Sequence, residues 1–182
     1  MNFLNNIEEV YMEINRCKSC SLYKNRLIPY GWRGNPKAKI MLIGEALGEK
    51  EQELGCPFVG RSGDLLDKLL EQIGLSVMDV FITNIVKDRP PENRDPFYDE
   101  VKACQNHLLN EIYIIRPKLI VTLGRVAGNW WNHYRPFEWM TYYPEKLWFP
   151  VYHPAYLLRN RTKINSWKSD LKNILNKLEL IK

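Results

Sequence analysis

Apolar positions along this chain alternate between short solid runs and longer spaced stripes. Four runs are short and almost wholly apolar: Lys39–Ile43, Val80–Val86, Leu119–Leu123 and Leu147–Tyr152. Runs of that length suit strands covered on both faces. Between them the spacing becomes helical. Leu65, Leu66, Leu69, Leu70 and Ile73 form one stripe, and Val101, Cys104, Leu108, Ile112 and Ile115 form another. A first helix is expected over Ile7–Asn15 and a last one over Ile164–Leu180, the latter with Trp167, Leu171, Ile174 and Leu178 on one face. Strands alternating with helices predict parallel pairing. The expected fold is therefore α/β, a three-layer α/β/α sandwich around a short, mainly parallel four-stranded sheet, in one domain spanning residues 1–182.

Open parallel sheets bind ligands in the crevice beyond the carboxyl ends of their strands. The residues at the carboxyl end of each run are thus candidates for a site. Gly44-Glu45-Ala46-Leu47-Gly48 comes after the first, and Thr83-Asn84 lies in the second, ahead of the turn Arg89-Pro90-Pro91-Glu92-Asn93-Arg94. Gly124-Arg125 closes the third run, and His153-Pro154 closes the fourth. A carboxylate, an amide and an imidazole are brought to one rim.

Composition narrows the class. With 182 residues, 45% hydrophobic and 26% charged, the chain has enough apolar surface for a core without disulfide support. No apolar run approaches the roughly 20 residues needed to cross a bilayer. The first residues lack the basic-then-apolar order of a secretory leader, so a cytoplasmic setting is expected. The net charge of +5 is concentrated in two stretches: Arg16, Lys18, Lys24, Arg26 and Arg33, then Arg159, Arg161, Lys163 and Lys168. Charge alone leaves open whether these meet nucleic acid or only solvent. Cys17, Cys20, Cys56 and Cys104 are too few and too unevenly spaced for a disulfide scaffold, and read as metal-binding, structural or reactive thiols.

Three segments in order, GEALGEKEQELGCPFVGRSGDLL at 44–66, TNIVKDRPPENRDP at 83–96 and HPAYLLR at 153–159, together with the early Cys-x-x-Cys, resemble the uracil-DNA glycosylase superfamily. The likeness is strongest to its family 4, the prokaryotic iron–sulfur type. It implies a hydrolase that flips a nucleotide out of DNA, cleaves the N-glycosidic bond of uracil and leaves an abasic site for base excision repair. Glu45 and His153 take the catalytic positions. His153 would donate to uracil O2 as the bond breaks, and Glu45 would orient water or stabilise the cationic sugar. Gly44, Ala46, Glu51, Phe58 and Asn84 take base-binding positions: Phe58 stacks on the base, Asn84 reads O4 and N3–H, and Glu51 crowds the C5 side. Arg61, Ser62, Leu157, Leu158 and Arg159 take DNA-binding positions, the leucines as a wedge and the arginines on phosphate. The implied partner is uracil-containing DNA, single- or double-stranded, met by a monomer of a prokaryote or phage with no membrane association.

The sequence departs from the family pattern at one conspicuous place. Cys17, Cys20 and Cys104 match three ligands of the family's [4Fe-4S] cluster, but the fourth position holds Asp88. Carboxylate is a hard, uncommon cluster ligand. Iron ligation by Asp88, a labile corner and an absent cluster all remain open, as does a zinc site using His107. Leu47 and Gln52 replace the family's usual Pro and Asp. These changes keep two other readings open: a DNA-binding protein with weakened catalysis, and a glycosylase for another deaminated base such as hypoxanthine.

Overall fold

The computed structural model describes residues 6–134 and 147–181. Helix α1 (Ile7–Arg16) opens with the Asn6 side chain accepting the Glu9 N–H at 2.8 Å. The order then runs β1 (Arg33–Gly34), β2 (Ile40–Gly44), α2 (Glu49–Leu54), α3 (Arg61–Gln72), β3 (Val80–Asn84), α4 (Tyr98–Ile115) and β4 (Leu119–Leu123). It ends with α5 (Arg125–Tyr134), β5 (Leu147–Val151), α6 (Pro154–Arg159) and α7 (Ile164–Lys177).

The sheet has five strands in the order β1-β3-β2-β4-β5, parallel except for β1. This corrects the expected count of four. The extra strand, Arg33–Gly34, pairs antiparallel with β3 and has no apolar run by which a sequence pattern could announce it. Strand β3 also stops at Asn84 rather than Val86. There the backbone bends, and Ile85 and Val86 donate to the carbonyls of Gly44 and Glu45 instead, tying the two strand ends together.

Alternate strand residues face opposite layers, as pleating requires. Met41, Ile43, Phe81 and Ile120 pack with α1, α4 and α5. Ile40, Leu42, Val80, Ile82, Leu119 and Val121 pack with α3, α6 and α7 through Leu66, Leu70, Leu157, Trp167 and Leu171. Helices thus cover both faces, giving three layers. The connection after β2 carries α3 over one face, while the connections after β3 and β4 carry α4 and α5 over the other. Neighbouring β2 and β4 therefore send their chains to opposite faces, which opens a crevice at their carboxyl ends. Among the described residues no helix is long and apolar enough to cross a membrane.

Candidate active site

The crevice is a cleft of about 530 Å³. Its walls bring together Glu45, Ala46, Glu51, Phe58, Ser62, His153 and Arg159, which are dispersed over more than a hundred residues of sequence. Leu47, Asn93, Arg94, Asp95 and Tyr156 complete much of the lining. Asn84 lies behind this wall. Its register partner is Gly44, and a side-chain carbon added to Gly44 would collide with both Asn84 Oδ1 and the Phe58 ring. The amide and the ring therefore both lie against Gly44. Asn84 is fully buried, yet neither Oδ1 nor Nδ2 has a hydrogen-bond partner. Leaving a buried donor or acceptor unmet costs about 1–3 kcal/mol each, so the pair is a strong demand for a complementary polar edge.

Phe58 is held in an uncommon backbone state, with φ of 56°. Two residues make this possible. Arg33 donates to the Phe58 carbonyl at 2.6 Å and pairs with Asp67 at 2.5 Å. Gly63 lies so close that any side chain would overlap the Phe58 carbonyl. Neither partner was legible beforehand, because the contacts of Arg33 join residues 25 and 34 positions apart, with no local pattern to mark them. Glu51 is buried and accepts the Gly60 N–H at 2.9 Å, so it is a fixed part of the wall and not an exposed helix-start glutamate.

His153 caps α6, its Nδ1 accepting the Ala155 N–H at 3.1 Å. Burial, reinforced by the charge of Arg159, pushes its pKa down to about 4. The ring is neutral near pH 7, and with Nδ1 engaged as acceptor its proton resides on Nε2. The Phe58 and His153 rings lie 5.4 Å apart, centre to centre. Glu45 behaves oppositely. Burial and the Asp95 carboxylate raise its pKa to about 7, against a smaller lowering by Arg125, which pairs with Asp95 at 2.6 Å. Asp95 is a further unanticipated member of the site.

Helix α6 divides the expected DNA-contacting residues. Arg159 is exposed and Leu158 half-buried, whereas Leu157 is fully buried in the core beneath the sheet. The expectation that Leu157 enters DNA is thus corrected: Leu157 anchors α6, because successive helical residues point in different directions and only one of the two leucines can face out. Arg61 is exposed at the start of α3, and Ser62 lines the cleft. Two arginines of the first basic stretch are used internally, Arg33 on Asp67 and Arg26 on Asp88.

The cysteine corner lies apart from the cleft. Cys17, Cys20, Asp88, Cys104 and His107 line one small pocket with Arg26 and Lys87. Both Asp88 oxygens are taken by Arg26, at 2.7 and 2.6 Å, and Arg26 also donates to the Asn15 carbonyl. The expected fourth ligand therefore serves as an ion-pair partner here. Among the described residues no group of three or more His, Cys, Asp or Glu is arranged to hold a metal ion. Burial pushes the Cys104 thiol up to about 12.

Comparison with known proteins gives this arrangement a context. Residues 32–179 match the family described as the Uracil DNA glycosylase superfamily. A Type-4 uracil-DNA glycosylase of Saccharolobus solfataricus is 43% identical over 171 residues, covering 86% of this chain and 79% of that protein. Those of Sulfurisphaera tokodaii and Thermotoga maritima are 40% and 39% identical, covering 94% and 86% of this chain and 84% and 85% of the relatives. With the family match spanning the sheet, the cleft and α6, the chain belongs to the uracil-DNA glycosylase superfamily.

Proposed function

We propose that this protein removes uracil from DNA by hydrolysing the bond between uracil N1 and the sugar C1′, leaving an abasic site. The observation that carries this reading is the unpartnered amide of Asn84 beside Gly44 and the cleft-lining Phe58. Uracil offers a matching edge, with N3–H to donate and O4 to accept; cytosine presents the reverse at both atoms. The names of the relatives agree with it.

Chemistry at the other residues depends on their protonation. As the C1′–N1 bond breaks, its electron pair passes to the base, and negative charge grows on O2. The neutral His153 donates from Nε2 to that oxygen, so its hydrogen bond strengthens toward the transition state. Charge on C1′ grows positive as the base leaves. Ionised Glu45 stabilises it and takes the proton of the water that adds there, a task suited to a carboxyl titrating near 7. Phe58 stacks on the extruded base, and Glu51 walls the pocket. Arg61, Ser62, Leu158 and Arg159 face the DNA.

A [4Fe-4S] cluster is a separate proposal, resting on the type-4 likeness and on Cys17, Cys20 and Cys104 sharing one pocket. Thiolates are the usual ligands of such a cluster, and these three would supply three of its corners. Asp88 does not suit the fourth, since its carboxylate is already engaged with Arg26. The cluster's place would be structural, joining the N-terminal segment to α4, and no step of the hydrolysis passes through it.

The decisive test uses oligonucleotides carrying one uracil, with and without a complementary strand. Release of uracil and formation of an alkali-labile abasic site from both, without added metal or nucleotide, is the expected result. Folded protein that binds these strands but leaves the base attached would overturn the hydrolytic reading in favour of a binding module. Release of hypoxanthine but not uracil would replace the substrate.

A further inference from the structure

Beneath the base-reading position lies a buried ionic cluster that takes no part in the proposed hydrolysis. Lys87 is 1% exposed and Glu111 0%. The Lys87 ammonium has three N–H groups and three acceptors: Glu111 Oε2 at 2.8 Å, Thr83 Oγ1 at 2.8 Å and the Asn84 carbonyl at 2.7 Å. Glu111 in turn accepts the Thr83 hydroxyl at 3.0 Å and the Tyr11 hydroxyl at 2.7 Å. The cluster thus draws α1, α4 and the end of β3 to one point, directly under Asn84.

Stability alone is a poor account of such a cluster. Desolvating two charges is expensive, and buried ion pairs are often no better than apolar residues of similar volume. What this one adds is position. Asn84 is the last residue of β3, where the backbone leaves the ladder, and the Lys87 ammonium holds its carbonyl. On the other side Ile85 N–H is bound by Gly44. The peptide at this bend is therefore fixed from both sides, while the Asn84 amide itself has no protein partner to orient it.

We infer that Lys87, held by Thr83 and by Glu111, which Tyr11 holds in turn, is a positioning residue that sets the Asn84 amide for base recognition. The inference rests on the glycosylase reading and deepens it. Fixing the backbone fixes the depth and tilt at which a side-chain amide meets the base edge, and small errors in such placement are costly to rate.

The test replaces the pair as a unit, Lys87→Met with Glu111→Leu, so that no lone charge is left buried. The parent protein is assayed beside it for uracil release. The double variant is expected to melt below the parent, because the Tyr11 hydroxyl and the Asn84 carbonyl lose their partners, yet to stay folded at the assay temperature and to bind an abasic-site oligonucleotide equally well. Its single-turnover uracil release is expected to fall at least tenfold, with reduced preference for uracil over cytosine. Thr83→Val, nearly isosteric and well suited to a strand, removes one Lys87 acceptor and should give a smaller loss of the same kind, which keeps the inference testable if the double variant does not fold. Undiminished release by either folded variant overturns the positioning role. So does a loss of abasic-DNA binding in step with the loss of excision, which would mark general damage to the fold. A parent protein that releases no uracil would instead overturn the glycosylase reading itself.

Discussion

At the residue scale, the cleft separates two titratable groups by environment. Burial lowers His153 to about 4 and raises Glu45 to about 7, and both shifts disfavour charge on the buried form. The consequences for rate differ in sign. His153 stays a neutral donor throughout the range above about pH 4, so it contributes a constant term there. The role proposed for Glu45 requires its ionised form, so single-turnover excision should rise with pH through a midpoint near 7. Asp95→Asn removes a negative neighbour that raises Glu45, and the midpoint of the same profile should then move to lower pH. An unmoved midpoint would mean that another group controls the profile. His153→Ala should lower single-turnover excision by roughly 100-fold or more, the usual loss for a transition-state donor. Full retention would remove His153 from the chemistry.

At the scale of elements, α6 is a short helix with two jobs. Leu157 fastens it to the core, and the next residues, Leu158 and Arg159, are left to face outward. Leu157→Ala should therefore cost about 2–5 kcal/mol of stability, as buried Leu truncations do, whereas Leu158→Ala should leave the melting temperature nearly unchanged. Comparing the two by thermal melting and duplex uracil release separates anchor from wedge. Arg159→Ala should weaken binding to all DNA sequences alike and make the dependence of log K on log salt shallower by about one unit. Binding that is insensitive to salt in the parent would show that the basic stretch around Arg159 meets only solvent. The loop before α3 is shaped the same way: Gly63 leaves room for the Phe58 carbonyl, and Arg33 holds it.

At the scale of the whole molecule, charged side chains help join the N-terminal segment to the rest of the fold. One such link is the Tyr11–Glu111–Lys87 cluster, and a second is Arg26 on Asp88 at the cysteine corner. Asp88→Cys acts on the second in two opposed directions. It completes a four-thiol set and should raise iron and sulfide content after anaerobic preparation, since thiolate matches this iron better than oxygen. It also strips Arg26 of its partner, so metal-free variant should melt below metal-free parent. Metal analysis and melting curves on both proteins check these outcomes together. Folded parent carrying neither iron nor zinc would remove the cluster proposal, and stoichiometric zinc without sulfide would select Cys17, Cys20, Cys104 and His107.

Much of this protein was already determined by local sequence. Strand β4 falls on the expected Leu119–Leu123, and the three-layer packing comes from apolar runs alternating with helical stripes. These are short-range signals, set by side-chain period. Parallel strand order also placed Glu45, Asn84 and His153 at one rim, because every parallel strand ends at the same edge. Only the tertiary structure decided the rest. The edge strand Arg33–Gly34 takes its shape from β3, and Phe58 takes its strained backbone from Gly63 and Arg33. Nothing local in the sequence marks Lys87 for burial, yet it is buried because Thr83 and Glu111 meet its ammonium and Tyr11 meets Glu111, from three separate elements. Leu157 and Leu158 are identical in sequence terms, and the packing of α6 on α3 alone sends one inward and the other out. Periodicity encodes which residues can be buried; which distant partner each one meets depends on how the layers close, and that is where charge, strain and specificity were set.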